Sequence, residues 1–478
     1  MARSWHDSDS PHRVNAACCA LMAWTVFLCG CIRPQNYHAL PNRSTFHYRY
    51  LTNNSQGYGR DYFSAANAYE CYIEFDARGA MYRDREGKPT QLKAAVDLIH
   101  AVKGDTGGGS TPGKIALYVF VHGWKNNASE EVGNVWGFRR FLSDIAAQQG
   151  DIPVIGVYMG WPGASLKGDQ FLTFWSREPI ADMVGQAADF QEALKKVLQA
   201  AKGDSFDSPD GSIAVVIGHS FGGVVLEHAA TSLLKEQLDK ARAAARDSRP
   251  MPVPSPADLF VLINEAGAAS IARPFLLQLE LGGARYKRGI EGEGRDYPLL
   301  LSMTSVGDIA TKFGYPGGEF GSINRTATVN FTPPDVFGQT SSLPYNLLTA
   351  ANMVALQSHA IVPLTAKNPT CDPAINIPIR LSSTLSYCIQ AVAPSARLNH
   401  TPYWIMQLPQ VFVPDHSSVF QDYLLNLLTD VLAYERLIAH PKANRLPVAA
   451  PSGQPPPPPP PPTTGGDRPL VLTTSPQP

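Results

Sequence analysis

From Lys114 onward, short continuous apolar runs alternate with longer stretches whose apolar residues recur at helical spacing. The runs are Lys114 to Val121 (KIALYVFV), Ile152 to Met159 (IPVIGVYM), Ser212 to Gly218 (SIAVVIG), Leu259 to Asn264 (LFVLIN), Leu299 to Thr304 (LLLSMT) and Pro402 to Leu408 (PYWIMQL). Apolar residues at consecutive positions predict strands buried on both faces. Between them, 130–148, 181–202, 222–245 and 417–439 predict helices. In 181–202, Val184, Ala187, Phe190, Leu194 and Val197 share one face. Strands alternating with helices predict an α/β fold, with a mostly parallel sheet flanked by helices.

The flanks of this region read differently. Ala68 to Arg83 alternates and predicts a hairpin turning at Asp76-Ala77-Arg78-Gly79. Residues 90–103 predict a short helix with Leu92, Ala95, Val96 and Ile99 on one face, and 105–113 a glycine-rich loop. About 310–400 is too long for a simple crossover and is rich in Pro, Asn, Ser and Thr. It is expected to be an insertion, before the last strand, that roofs the site. Pro455 to Pro462 is an unbroken proline run within a disordered tail, 441–478, read as an extended spacer. Recruitment of a protein partner, of unknown identity, is the alternative reading of that run.

Composition narrows the class. Of 478 residues, 44% are apolar and 17% charged, enough for a sizeable core. Forty basic residues against 41 acidic ones leave a net charge of -1, which removes the electrostatic argument for nucleic-acid binding. Four of the seven cysteines lie in the first 31 residues. No Cys or His spacing is that of a metal site, so no metal is expected. Cys371 and Cys388 are either a disulfide or two separate thiols.

Residues 14–31 (VNAACCALMAWTVFLCGC) follow Arg3 and Arg13. The run falls short of the about 20 residues a membrane span needs and fits a signal peptide over 1–30. Its end, Leu28-Cys29-Gly30-Cys31, resembles a bacterial lipobox. That resemblance implies cleavage before Cys31 and acylation of Cys31 as the lipid anchor, with 31–67 as tether and N-terminal wrap. Ile32 is not the Asp of an inner-membrane retention signal, so the outer membrane is the expected destination. A plain signal peptide is the alternative.

The chemistry centres on Gly218-His219-Ser220-Phe221-Gly222, a G-x-S-x-G between a predicted strand and a predicted helix. This is the context of a nucleophile elbow, with Ser220 as nucleophile. The small Gly218 and Gly222 let backbones pass closely. His122-Gly123-Trp124 follows an earlier strand. An oxyanion hole needs two N–H groups, and Phe221 and Trp124 are the expected donors. These motifs resemble the α/β-hydrolase superfamily over about 114–440, including Gly160-Trp161-Pro162. The IEFD of Ile73 to Asp76 and the FVHGWKN of Phe120 to Asn126 also resemble a group of bacterial lipoprotein hydrolases without an assigned substrate. The resemblance makes 68–440 the hydrolase domain.

The family order of Ser, acid and His restricts the partners. Asp308 follows LLLSMTSVG and fits the acid; Glu265, one strand earlier, is the alternative. His416, between the last strand and last helix, fits the base. His359 and His400 precede that strand and are expected at the surface or in the roof. His219 is expected to point away and pack structurally. The resemblance implies a serine esterase acting through an acyl-enzyme, with no cofactor. Its substrate would be a small-molecule or lipid ester. A serine peptidase or acyltransferase, or a non-catalytic envelope scaffold, is the alternative. Trp124, Trp161, Phe171, Phe174 and Trp175 point to an apolar acyl group.

Overall fold

The computed structural model describes residues 36–38, 49–50, 67–104, 113–129, 132–164, 174–206, 208, 210–244, 255–281, 297–321, 329–365, 370–371, 376–381, 385–392 and 401–435. The signal segment, Cys31, most of the tether, Phe171, His400 and the proline-rich tail lie outside them.

The strands are β1 (Arg49–Tyr50), β2 (Ala68–Glu74), β3 (Ala116–Val121), β4 (Val154–Gly160), β5 (Ile213–His219), β6 (Leu259–Ile263), β7 (Leu300–Ser305), β8 (His359–Pro363), β9 (Ile377–Arg380), β10 (Ser386–Ala391) and β11 (Tyr403–Leu408). The helices are α1 (Thr90–Lys103), α2 (Gly133–Gln149), α3 (Phe174–Gln186), α4 (Ala188–Lys202), α5 (Phe221–Ala244), α6 (Ala269–Leu281), α7 (Tyr315–Gly321), α8 (Leu343–Leu347) and α9 (Asp422–Tyr434). Eight strands form one sheet in the order β1-β2-β4-β3-β5-β6-β7-β11. Seven run parallel, and β1 pairs antiparallel with β2.

The apolar runs become central strands because both sheet faces are covered. In β3, Leu117, Val119 and Val121 enter one core, while Ala116, Tyr118 and Phe120 enter the other. This is the period-2 alternation of a pleated strand with no polar face. The first core is closed by Leu92 and Ala95 of α1, Phe190 and Leu194 of α4, Val225 of α5 and Leu276 of α6. The second is closed by Phe138 and Leu142 of α2 and by Leu424 and Leu428 of α9. The fold is therefore α/β, with a mostly parallel sheet between helices on both faces, as the sequence predicts.

Three expectations change. Ala68 to Arg83 is not a hairpin. β2 pairs in parallel with β4 along its length, and only the bridge Phe75 to Met81 returns. The Asp76 carboxylate, accepting N–H groups from Arg78 and Ala80, closes the turn without starting a second strand. The stretch 181–202 is not one helix: it breaks at Ala187, whose backbone is extended. Asp189 in the first turn of α4 is drawn instead to the Met81 N–H and to Arg83.

Nor is 310–400 a single roof. Ala310–Gly314 forms a π turn directly after Asp308. The antiparallel sheet β8-β10-β9 lies elsewhere. Its Ile361, Ile377, Ile379 and Ile389 share the apolar cluster of Trp404, Leu424 and Leu428. His359 stacks on Trp404 at 3.7 Å between ring centroids and is buried, so it is not a surface residue. Burial in an apolar cluster decides where the strands β8, β9 and β10 sit. A disulfide joins Cys371 to Cys388 of β10, which settles the two open readings of that pair.

Candidate active site

All the predicted site residues within the described part lie at the carboxyl ends of the parallel strands, where open α/β sheets place their ligands. Ser220 sits between β5 and α5 with φ of +56°. A left-handed serine costs on the order of 1–3 kcal/mol and persists only where its surroundings hold it. Here the Ser220 N–H donates to the Ile263 carbonyl at 3.1 Å, and its own carbonyl accepts the Gly223 N–H at 2.9 Å. Gly222 is obligatory for packing: a Cβ there would meet the Val121 carbonyl at 2.2 Å and that of His122 at 2.4 Å. The elbow is pressed against the end of β3.

Ser220, His416 and Asp308 are brought together from positions up to 196 residues apart. His416 Nε2 lies 2.8 Å from Ser220 Oγ. His416 Nδ1 lies 2.9 Å from Asp308 Oδ2. Asp308 is fully buried and accepts in addition the Ala310 N–H at 2.9 Å, the Thr311 N–H at 3.2 Å and the Thr311 hydroxyl at 2.8 Å. Burial pushes its carboxyl up, but the hydrogen bonds from His416 and Thr311 outweigh this and hold it below the ordinary carboxylate range. Asp308 is thus an anion at neutral pH. It requires the proton on His416 Nδ1 and leaves Nε2 as the acceptor facing Ser220.

Glu265 does not reach His416. It is buried beneath the elbow, its Cβ 3.0 Å from where a Gly223 side chain would begin. It is paired with Glu227 of α5, whose carboxylate accepts the Tyr403 hydroxyl. Of the two candidate acids, geometry places Asp308 beside His416.

The His122 loop is held by its own ring. The Trp161 N–H donates to His122 Nε2 at 3.0 Å, which puts the ring proton on Nδ1, donating to the Gly123 carbonyl at 3.0 Å. Trp161 Nε1 donates to the His122 carbonyl at 2.7 Å, and the two rings stack. With the Gly123 carbonyl turned to His122, the trans peptide plane sends the Trp124 N–H to the opposite side. Gly123 lies hard against Ser220, where a Cβ would stand 2.7 Å from Ser220 Cβ. Phe221 opens α5, so its N–H belongs to the first turn of a helix whose dipole favours anions. The rings of Trp124 and Phe221 lie 6.2 Å apart.

Sequence reasoning missed the residues that position His416. His219 does not merely pack away from the site: its Nε2 donates to the His416 carbonyl at 2.7 Å. Asn264, with φ of +47°, donates to the carbonyls of Asp415 and His416 at 3.1 and 3.2 Å and accepts the Ser305 N–H at 2.9 Å. Ser305 Oγ donates to the Val413 carbonyl at 2.6 Å. The one signal in the sequence was an Asn directly after LFVLI, since Asn tolerates left-handed backbone at a strand end.

Buried titratable groups set opposite pH slopes on stability. Burial lowers His122 to about 4, and burial together with His416 lowers His219 to about 3. Burial alone lowers His359 to about 3. Below the ordinary value of 6.5, the unfolded chain binds protons that these folded imidazoles refuse, so stability falls as pH drops. Glu265 and Glu227 are both raised, first by burial, and Glu265 also by the charge of Glu227. Above the ordinary 4.5 the unfolded chain releases protons that the folded pair keeps, so stability falls as pH rises. Above the imidazole range the carboxyl pair is what still acts among these groups. The urea midpoint of the wild type should therefore decline as pH rises above neutrality and that of Glu265→Gln should decline less. Equal slopes would show that the pair carries no strain.

Among the described residues, no group of three or more His, Cys, Asp and Glu is placed to hold a metal ion. Fold and site together define an α/β protein with a Ser-His-Asp constellation at the carboxyl ends of its parallel strands. No protein-family model matches the chain, and no curated protein matches it. Among solved structures it is similar to a Trichoderma reesei cutinase in complex with a C11Y4 phosphonate inhibitor, at 20% identity and a TM-score of 0.20. That likeness covers 37% of this chain and 66% of the other, just under two thirds of the neighbour's length. At that score it carries no weight for the chemistry.

Proposed function

We propose that this chain is a serine hydrolase that cleaves carboxylic esters through an acyl-enzyme. The observation that carries the reading is the continuous line from Ser220 Oγ through both nitrogens of His416 to an ionised, buried Asp308. Its placement on a strained strand-to-helix turn supports the same reading.

His416 Nε2 takes the Ser220 proton as Oγ attacks the ester carbonyl carbon. Asp308 keeps Nδ1 protonated and steadies the imidazolium that forms. The N–H groups of Phe221 and Trp124 donate to the carbonyl oxygen as negative charge develops on it. His416 returns the proton to the alcohol as the ester C–O bond breaks, leaving an acyl group on Ser220. Water, deprotonated by His416, then releases the acid. Trp124, beside the nucleophile, and an apolar surface after Asp308 favour an apolar acyl group.

The lipobox resemblance supports an exported protein, cleaved before Cys31 and acylated there, on the periplasmic side of the outer membrane. The Cys371–Cys388 disulfide is in keeping with an oxidising compartment. Among the described residues no helix is long and apolar enough to cross a membrane.

The test is covalent labelling by a fluorophosphonate, followed by turnover of short and long p-nitrophenyl esters. The folded wild type should label at Ser220 and hydrolyse esters, and Ser220→Ala should do neither. Labelling with turnover of peptide amides alone would move the assignment to a peptidase on the same triad. A folded wild type that does not label would leave the scaffold reading in its place.

A further inference from the structure

Three residues of the N-terminal segment are fastened to the body well before the first long strand. The Tyr37 and His38 N–H groups donate to the Glu74 carboxylate at 2.8 and 2.7 Å. His38 stacks on Tyr72 at 3.6 Å and its Nε2 donates to the Ala128 carbonyl at 2.7 Å. Gln91 donates to the Asn36 side chain at 3.1 Å. Glu74 ends β2 and stands in register with Gly160 at the end of β4. The clamp is therefore at the same end of the sheet as Ser220, three strands along, or about 14 Å at the usual strand spacing.

Five residue steps separate Cys31 from Asn36. Whatever path they take, they span at most about 18 Å. The opposite end of β2, at Ala68, is six residues from Glu74, about 20 Å away along the strand. An acyl chain on Cys31 therefore holds the active-site end of the sheet nearer the bilayer than a long tether would.

That end also carries an inverted surface. After β7, Asp308 and Thr311 are fully buried, while Val306 is 47%, Ile309 70% and Phe313 66% exposed. Asp308 and Thr311 point in, while Ile309 and Phe313, one turn apart, point out. Water-facing turns show the reverse, and grouped exposed apolar residues mark a surface that meets something apolar. The exposed Lys312 beside Phe313 suits an anionic headgroup layer.

We infer that the Val306, Ile309 and Phe313 surface rests in the phospholipid layer to which Cys31 is attached, so that the Ser220 site opens toward the membrane. This rests on the lipoprotein reading above. Substrate would then be drawn from, or lie within reach of, the lipid layer.

The experiment uses the full chain, processed in a Gram-negative host and reconstituted into phosphatidylethanolamine–phosphatidylglycerol vesicles. Nitroxide labels are placed singly at Ile309→Cys, Phe313→Cys and, at the opposite end, the exposed Asp151→Cys. The remaining thiols do not compete, since Cys71 is buried and Cys371 and Cys388 are bonded. The expected result is loss of collisions with a water-soluble nickel chelate at 309 and 313, with collisions with dissolved oxygen retained, and both kinds kept at 151. An acylated, vesicle-bound protein whose labels at 309 and 313 meet nickel as freely as at 151 would overturn the orientation and leave the lipoprotein reading standing. Absence of an acyl mass on the Cys31 peptide would overturn both.

Discussion

Replacing Ser220 by Ala is expected to lower kcat for ester hydrolysis on the order of 10⁶-fold, because the group that carries the acyl intermediate is gone. The fold should survive. Ser220 Oγ is bonded to His416, and the backbone bonds that hold the elbow, from Ser220 N to Ile263 and from Gly223 N to Ser220, do not involve the side chain. His416→Ala is expected to cost about as much, since an undeprotonated hydroxyl is a poor nucleophile. The double variant should fall no further than either single one, because the pair acts as a unit. Steady-state turnover on the best p-nitrophenyl ester, with thermal melting as the fold control, measures all three. Multiplicative losses in the double variant would mean that Ser220 and His416 do not share one step, and the triad reading would fail.

Asp308→Asn is expected to lower kcat about 10⁴-fold while leaving the shape of the site almost unchanged. The reason is the set of donors around the carboxylate. Oδ1 accepts the N–H groups of Ala310 and Thr311, so the Asn oxygen takes that place and its NH₂ turns to His416. An NH₂ facing Nδ1 selects the tautomer with the proton on Nε2, which cannot accept from Ser220. Stability should fall as well, since Thr311 Oγ1 loses an ionised acceptor, a change on the order of 1–3 kcal/mol. Glu265→Gln is the matched control, a buried strand-end carboxyl that does not touch His416. A large loss of kcat in Glu265→Gln with little in Asp308→Asn would exchange their roles.

Much of this was legible in the linear chain, for reasons that are local. The alternation of continuous apolar runs with helical stretches determined an α/β sheet buried on both faces, because a strand between two helical layers has no face left for polar residues. Glycines flanking Ser220 and a strand before it determined the elbow, since only small residues allow the close pass that Gly222 makes beneath the His122 carbonyl. Chain order after a resemblance had been recognised pointed to Asp308 and His416, and left Glu265 open.

Tertiary structure decided what depends on long-range burial. Whether Asp308 or Glu265 faces the base depends on which loop meets the 413–418 turn, and no local pattern encodes that. Asn264, Ser305 and His219 hold that turn through hydrogen bonds to its carbonyls, and a lone polar residue at a strand end has no periodicity to mark it. The segment 310–400 divided because its isoleucines reduce more apolar surface against Trp404 and α9 than above a polar site. The turn after Asp308 exposes Ile309 and Phe313 because Asp308 and Thr311 claim its inner side for the triad, and only the folded backbone shows which side is inner. The chain by itself determined the layers and the elbow at Ser220. Packing determined which side chains meet Ser220 and which surface surrounds them.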